Sequence, residues 1–398
     1  MKFKELVEGY RATERFIHQN FNGMRSARTL AERRLGPKYK VLLAEATEFL
    51  ADVFEGRRPM WQLKEALSTS DFPYLFGDTI DRMMYVSFQE RPGDWRDYVK
   101  VVNTISDFRD VKRFRCTRGA DRLHGPMGQG ESYEADAPSD SQYTYALGKY
   151  GRRRDILWEA LVNDDLGALQ DAPGDLAYQS RNTEWYVVTS LFAANATLYS
   201  TTHAVQGTNY SNKGTAELTA ESLAAAISAM GEFPADDGES PVFNDPVYIV
   251  VGTKEMEFKA NQILNSILVA YTGASDQGNL PTASIIPQEV RSAMKVRYNP
   301  WLRVLDSTYY DSSWYLFSDP AVGWAVEVGF LAGHEAPELF MKDSNQVLLG
   351  GGMSSPMDGD FDNDAVAYKA RHCIGGSHSN AVGGWRFTYW SDGSISQL

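Results

Sequence analysis

The sequence predicts an α+β fold whose helices come first and whose strands dominate the end. Three observations carry that prediction. An amphipathic helical repeat occupies the first seventy residues, a long polar insertion parts two strand-like segments, and aromatic and β-branched residues with glycine bends fill the C-terminal stretch. At 398 residues the chain can form two or three compact units, or one subunit with extensions.

Over residues 39–54, Leu42, Leu43, Ala46, Phe49, Leu50, Val53 and Phe54 recur at helical spacing and leave Glu45, Glu48 and Asp52 on the other side. Gly56 is the expected stop, and a shorter helix is expected at 61–67. Residues 111–118 and 141–150 read as two strands, with Tyr143, Tyr145 and Leu147 alternating in the second. Between them GPMGQGESYEADAPSDS is too polar to pack as a core, so the pair reads as a long two-stranded projection. A helix is then expected from Asp171 as N-cap and Pro173 in the first turn to Asn195. Mixed α/β sequence follows: helices at 216–230 and 254–267, and strands at 247–251, 296–304 and 314–317. Residues 367–390 close with further strands, and no internal repeat is present.

Composition excludes several classes. The hydrophobic share of 43% supports a real core. No apolar run approaches the roughly 20 residues that cross a bilayer, and the opening MKFKELVEGYRATERF lacks the apolar stretch of a signal peptide. Two cysteines provide no disulfide framework, and free thiols are expected. The net charge of −13 argues against a general nucleic-acid binder. Residues 1–40 are the exception, with ten basic side chains against four acidic ones, which suits either an arm lying on something acidic or a solvated helical face.

Chemistry is harder to find. Gly350, Gly351 and Gly352 are not followed by the Lys-Ser/Thr of a phosphate loop. GGSHS at 375–379 only loosely resembles a nucleophile elbow, and His334-Glu335 has no second histidine at zinc-protease spacing. Asp358, Asp360, Asp362 and Asp364 alternate like the start of a calcium loop. The imitation fails at Asn363, where glycine is required, and at Lys369, where a bidentate glutamate is required. An acidic turn leading into a strand is the plain reading; no catalytic residue, metal or cofactor is assigned.

The projection has segregated charge. Residues 109–122 carry Arg109, Lys112, Arg113, Arg115, Arg118 and Arg122 against Asp110 and Asp121, whereas the outer half, 123–148, carries Glu131, Glu134, Asp136 and Asp140 and no lysine or arginine. Complementary patches favour one alignment of two surfaces and penalise others. Arg113, Arg115, Arg118, Glu131, Glu134 and Asp136 are therefore expected to contact an adjacent copy and set its register; a solvated hairpin whose charges serve solubility is the alternative.

Three stretches resemble a known family: RRRDILWEALVNDDLGAL at 152–169, SSWYLFSDPAVGWAVEVGFLAGHEAPELF at 312–340 and AYKARHCIGGSHSNAVGGWRFTYWSDG at 367–393, with a weaker echo in TSDFPYLFGDTIDRMM at 69–84. They are similar to the major capsid proteins of tailed bacteriophages, in particular the branch containing the Mu-type head subunit. The resemblance implies the capsid fold named after phage Hong Kong ninety-seven. Residues 1–75 would be a helical N-terminal arm, 109–150 an extended β-hairpin E-loop, and 76–108 with 151–215 a peripheral domain with a long spine helix. Residues 216–311 would be an axial α/β domain, and 312–398 would return to the peripheral domain as C-terminal strands. The implied function is a non-enzymatic shell subunit that self-assembles as hexamers and pentamers around double-stranded DNA, without sequence-specific binding. Portal and scaffold or decoration proteins are implied partners, no membrane is involved, and assembly would take place in the bacterial host cytoplasm. Any scaffolding segment is expected to be a separate protein or to remain uncleaved. An encapsulin-like cargo compartment and a glycan-binding or hydrolytic protein are the alternatives.

Overall fold

The computed structural model describes residues 38–54, 57–58, 62, 88, 93–117, 139–157, 166–238, 240–266, 268–270, 281–283, 286–342, 344–345 and 360–395. In chain order the elements are α1 (Tyr39–Phe54), β1 (Lys100–Ile105), β2 (Val111–Thr117), β3 (Ser139–Tyr145), β4 (Gly148–Leu157) and α2 (Leu166–Phe192). There follow β5 (His203–Val205), β6 (Thr208–Tyr210), β7 (Lys213–Ala216), α3 (Ala220–Gly231), β8 (Pro246–Val251), α4 (Lys254–Asn265), β9 (Leu268–Ala270) and β10 (Pro281–Ala283). The last are α5 (Gln288–Ala293), β11 (Lys295–Tyr298), α6 (Leu302–Leu305), β12 (Trp314–Ser318), β13 (Val326–Leu331), β14 (Glu338–Met341), β15 (Ala365–His378) and β16 (Thr388–Ile395). The helix expected at 61–67 and most of the basic N-terminal segment lie outside the described residues.

The chain divides into two compact units, one within Met1–Pro92, Gly148–Glu184 and Phe330–Ile374, the other within Gly93–Leu147, Trp185–Gly329 and Gly375–Leu398. In the first, β15 is flanked by β4 and β14, both antiparallel to it. Alternation puts Val366, Tyr368 and Ala370 on one face, where they pack against Leu176 and Ala177 of α2. His372 continues that buried face and bonds Glu184 of α2 at 2.9 Å, both side chains being almost wholly inaccessible. Helix α1 buries Ala46, Leu50 and Val53, the stripe its sequence spacing marks out.

The second unit is built on a five-stranded mixed sheet in the order β11, β8, β12, β16, β7. The outer pairs β11 with β8 and β16 with β7 are parallel, and the inner pairs are antiparallel. Its central strand WYLFS is buried throughout, which explains an unbroken apolar run instead of alternation. Phe317 stacks on Tyr98 at 5.0 Å and meets Phe192 edge-on at 5.2 Å. Each such ring contributes roughly 1.5–3 kcal/mol on burial, so this cluster dominates the unit's core. Thr219 caps α3 through a reciprocal bond with Ser222, and Thr253 caps α4. Residues 314–318 and 388–395 thus share a sheet with 246–251 and 295–298, on both sides of the expected boundary at 311.

Three expectations need correction. The helix α2 begins at Leu166 rather than 171, because LGALQDA is itself rich in good helix formers; Pro173 lies inside it instead of in its first turn. The strand expected at 141–150 divides at Ala146 and Leu147 into β3, which pairs with β2, and β4, which pairs with β15. The strand expected at 296–304 ends at Tyr298, since Asn299-Pro300 turns the chain into α6.

Candidate functional site

The most elaborate polar constellation among the described residues lies at the root of the β2–β3 hairpin, within the second unit. Alternation along VKRFRCT puts Arg113 and Arg115 on one face, and the antiparallel register sets Arg113 opposite Tyr143, with Val111 opposite Tyr145. Arg113, Tyr143 and Tyr145 converge on a single carboxylate, Glu327 of β13. Arg113 Nε donates to Oε1 at 2.7 Å, Tyr145 OH to Oε1 at 2.6 Å and Tyr143 OH to Oε2 at 2.6 Å. The Glu327 side chain is 3% exposed, so it depends on these donors for the solvation it has lost.

Electrostatics keep the donors protonated. Burial, reinforced by the adjoining Glu327, pushes both phenols well above their usual range. For Arg113, burial works against the charge, but the Glu327 carboxylate outweighs it and the guanidinium is held still more firmly protonated. Trp324 adds a fourth link, donating its indole N–H to Tyr143 OH at 3.3 Å.

Arg115 makes a second anchor. It donates through Nη1 to the Val382 carbonyl at 2.5 Å and pairs through Nη2 with Asp236 at 3.1 Å. Asp236 also pairs with Arg386 at 3.0 Å, whose Nε donates to the Pro234 carbonyl at 2.6 Å. Gly383, beside this anchor, has φ +80°, and a Cβ there would crowd both arginines. Between the anchors opens a cleft of about 670 Å³, lined by Lys100, Phe114, Trp324 and Phe387 among others. Lys100 lies over the Trp324 ring at 5.1 Å, and Phe114 is 67% exposed.

Of the residues expected to contact an adjacent copy, Arg113 and Arg115 come together here and already have partners in their own unit. Their side chains keep 36% and 40% exposure. Arg118, Glu131, Glu134 and Asp136 lie outside the described residues, as does Asp358 of the acidic run. Asp360 is held by Lys342 at 2.5 Å, and Asp362 and Asp364 are exposed. No group of three potential metal ligands converges among the described residues. No helix among them is long and apolar enough to cross a membrane. Cys373 is a buried free thiol; the side chain of Cys116 lies outside the described set.

Sequence reasoning missed Glu327, although a single carboxylate inside WAVEVGFL is a signal, because a charge on a buried strand must be paired. GGSHS, which the sequence only loosely likens to an elbow, serves close packing instead. A Cβ on Gly375 would fall against the carbonyl of Ala146, and one on Gly376 against that of Glu327. These glycines let β15 approach β13 and the foot of β3 closely, and they form no elbow.

A model of the phage capsid protein family matches residues 142–389, from within β3 to within β16. The chain belongs to the phage capsid protein family. It is a phage capsid protein with a mixed α+β fold, and its place is the virion capsid. Among solved structures it is similar to a chain from Microbacterium phage Oxtober96, with 10% identity, TM-score 0.42 and coverage of 76% of this chain and 91% of that one. It is also similar to a chain of the capsid of an empty GTA particle, with 10% identity, TM-score 0.44 and coverage of 74% and 87%. A chain of the Cyanophage P-SCSP1u capsid gives 13% identity, TM-score 0.41 and coverage of 76% and 88%. A search of curated proteins finds no match. The family match spans more than half of the chain and carries the assignment.

Proposed function

We propose that this capsid protein belongs to the Mu-type branch and builds, without catalysis of its own, the head of a tailed phage around double-stranded DNA. The observation that carries the reading is the hairpin, anchored by two sets of charged bonds at its root and strongly acidic beyond it. Arg118, Glu131, Glu134 and Asp136 are taken as contacts to an adjacent copy, and Arg113 and Arg115 as contributors through their exposed sides. The division proposed is an N-terminal arm at 1–75, the projecting loop at 109–150, a peripheral domain at 76–108 and 151–215 with a return at 312–398, and an axial domain at 216–311. A net charge of −13 suits a wall that encloses DNA without gripping it. Many modest contacts per copy, summed over a closed shell, give a durable particle while single errors stay reversible during growth. Portal and scaffold or decoration proteins are proposed partners, with assembly in the host cytoplasm. Particles purified from lysed host cells should contain nuclease-protected double-stranded DNA. Packaged protein in place of DNA would favour a cargo compartment and overturn the proposal.

A further inference from the structure

We infer that Glu327 is a positioning residue for assembly: it fixes the direction in which the β2–β3 hairpin leaves its unit before any neighbour arrives. The inference rests on the reading of that hairpin as an inter-subunit contact and adds what aims it. Three properties of the root support it. First, all three close donors to Glu327 come from the hairpin, Arg113 from β2 and Tyr143 and Tyr145 from β3, so one buried carboxylate holds both strands. A single strand so held could still swivel about its bond, whereas two paired strands bound through three separate atoms cannot. Second, the carboxylate belongs to β13, which is buried from Val326 to Phe330, so the anchor point is itself rigid. Third, the chain on either side of Glu327 has no slack. Gly329 leaves room only for Ile105 and Tyr145, and Gly376 is backed against the Glu327 carbonyl.

The chemistry explains why the residue is glutamate. Three donors need an acceptor with no hydrogens of its own, and an ionised carboxylate offers about four lone-pair sites. A glutamine of the same shape would turn its NH2 group toward Arg113 and Tyr145, losing the bond from Arg113, or toward Tyr143, leaving that phenol's own proton without its acceptor; either way the negative charge is gone. Arg113 would then be left with a charge and no counter-charge in a half-buried site. The hairpin should loosen at its root while the five-stranded sheet, which shares no bond with Glu327, stays folded.

The test uses the full-length protein as unassembled subunits and as particles, with Glu327→Gln and, in a second variant, Tyr143→Phe with Tyr145→Phe. The double phenylalanine change keeps the ion pair and the rings and removes the two hydroxyl bonds to Glu327, together with the weaker Trp324 N–H bond to Tyr143. In the unassembled subunit, amide hydrogen exchange in residues 111–117 and 139–145 should quicken by about tenfold or more in both variants, because bonds to charged groups contribute enough to shift local opening by that factor. Exchange in β8 and β12 should be unchanged. Both variants should give malformed particles or a markedly lower particle yield, and Arg113→Lys should restore less than wild-type order because a lysine cannot present the same N–H geometry. Unchanged exchange at the hairpin root in either variant overturns the inference, as does normal assembly in spite of a loosened root. The underlying reading is tested separately by reversing Glu131, Glu134 and Asp136 to lysine. If those variants assemble normally while root exchange still depends on Glu327, the contact reading fails and the anchoring role alone survives.

Discussion

Replacing His372 by phenylalanine removes a hydrogen bond from the buried Glu184 carboxyl of the first unit while keeping a ring in place. His372 Nε2 lies 2.9 Å from Glu184, with side-chain exposures of 2% and 1%. The imidazole also packs against Phe88 and Phe330, with ring centroids at 6.1 and 5.8 Å. A phenyl ring preserves most of those contacts and leaves Glu184 short of a donor in a site that water cannot reach. Stranding a buried charge typically costs about 3–5 kcal/mol. Glu184 has other interactions as well, so the lower end of that range applies, a shift on the order of 1 M in the urea midpoint of the unassembled subunit. His372→Gln loses the ring but retains an N–H able to reach the carboxylate, and it should restore part of the loss. Urea unfolding of both variants followed by tryptophan fluorescence and circular dichroism provides the comparison. If His372→Phe is as stable as wild type, or more stable than His372→Gln, then ring packing rather than the polar bond holds α2 to β15 and the reasoning is refuted.

Other substitutions and conditions test neighbouring parts of the account. Gly375→Ala forces a methyl group against the backbone of Ala146 and Leu147, which cannot swing aside, so thermal unfolding should show a loss of about 1–3 kcal/mol. Burial pushes the Cys373 thiol up, so iodoacetamide should label it far more slowly in the native subunit than after denaturation at the same pH. Burial works against ionisation of Glu338, but bonds from Arg371 and His334 outweigh it and hold the carboxyl below its ordinary value. A depressed carboxyl contributes stability that is present above the unfolded value, about 4.3, and lost as pH falls through the lower folded value. Glu338→Gln should therefore flatten the loss of stability seen in urea titrations below about pH 4.3, and an unchanged acid limb would contradict that sign.

Legibility in the sequence followed local physics. The stripe of Ala46, Leu50 and Val53 and the run WYLFS both had patterns that only one environment satisfies, and both lie where expected. Boundaries were less visible. Nothing in Tyr143, Tyr145 and Leu147 announces that the alternation stops before Gly148, because the division between β3 and β4 is made by a change of pairing partner far away in sequence. The basic run Arg152, Arg153 and Arg154 has no strand-like alternation, yet it forms a strand beside β15, with Arg154 paired to Asp175. Glu327 was missed for a related reason. Its strand, Val326–Leu331, is not among those the sequence reading places, and the donors that make a carboxylate tolerable there lie more than 180 residues away. A charge inside an apolar strand is a local anomaly with a distant explanation, and such anomalies are where a sequence points most directly to its tertiary contacts.

The central claim, that this chain closes on itself into an icosahedral head, is tested most directly by cryo-electron microscopy of the purified full-length protein after assembly. Uniform closed particles should appear whose averaged density has icosahedral symmetry and accommodates many copies of this one chain, each with its β2–β3 hairpin lying against a neighbour. A population consisting only of monomers or small soluble oligomers, under conditions in which the subunit is folded, would contradict it.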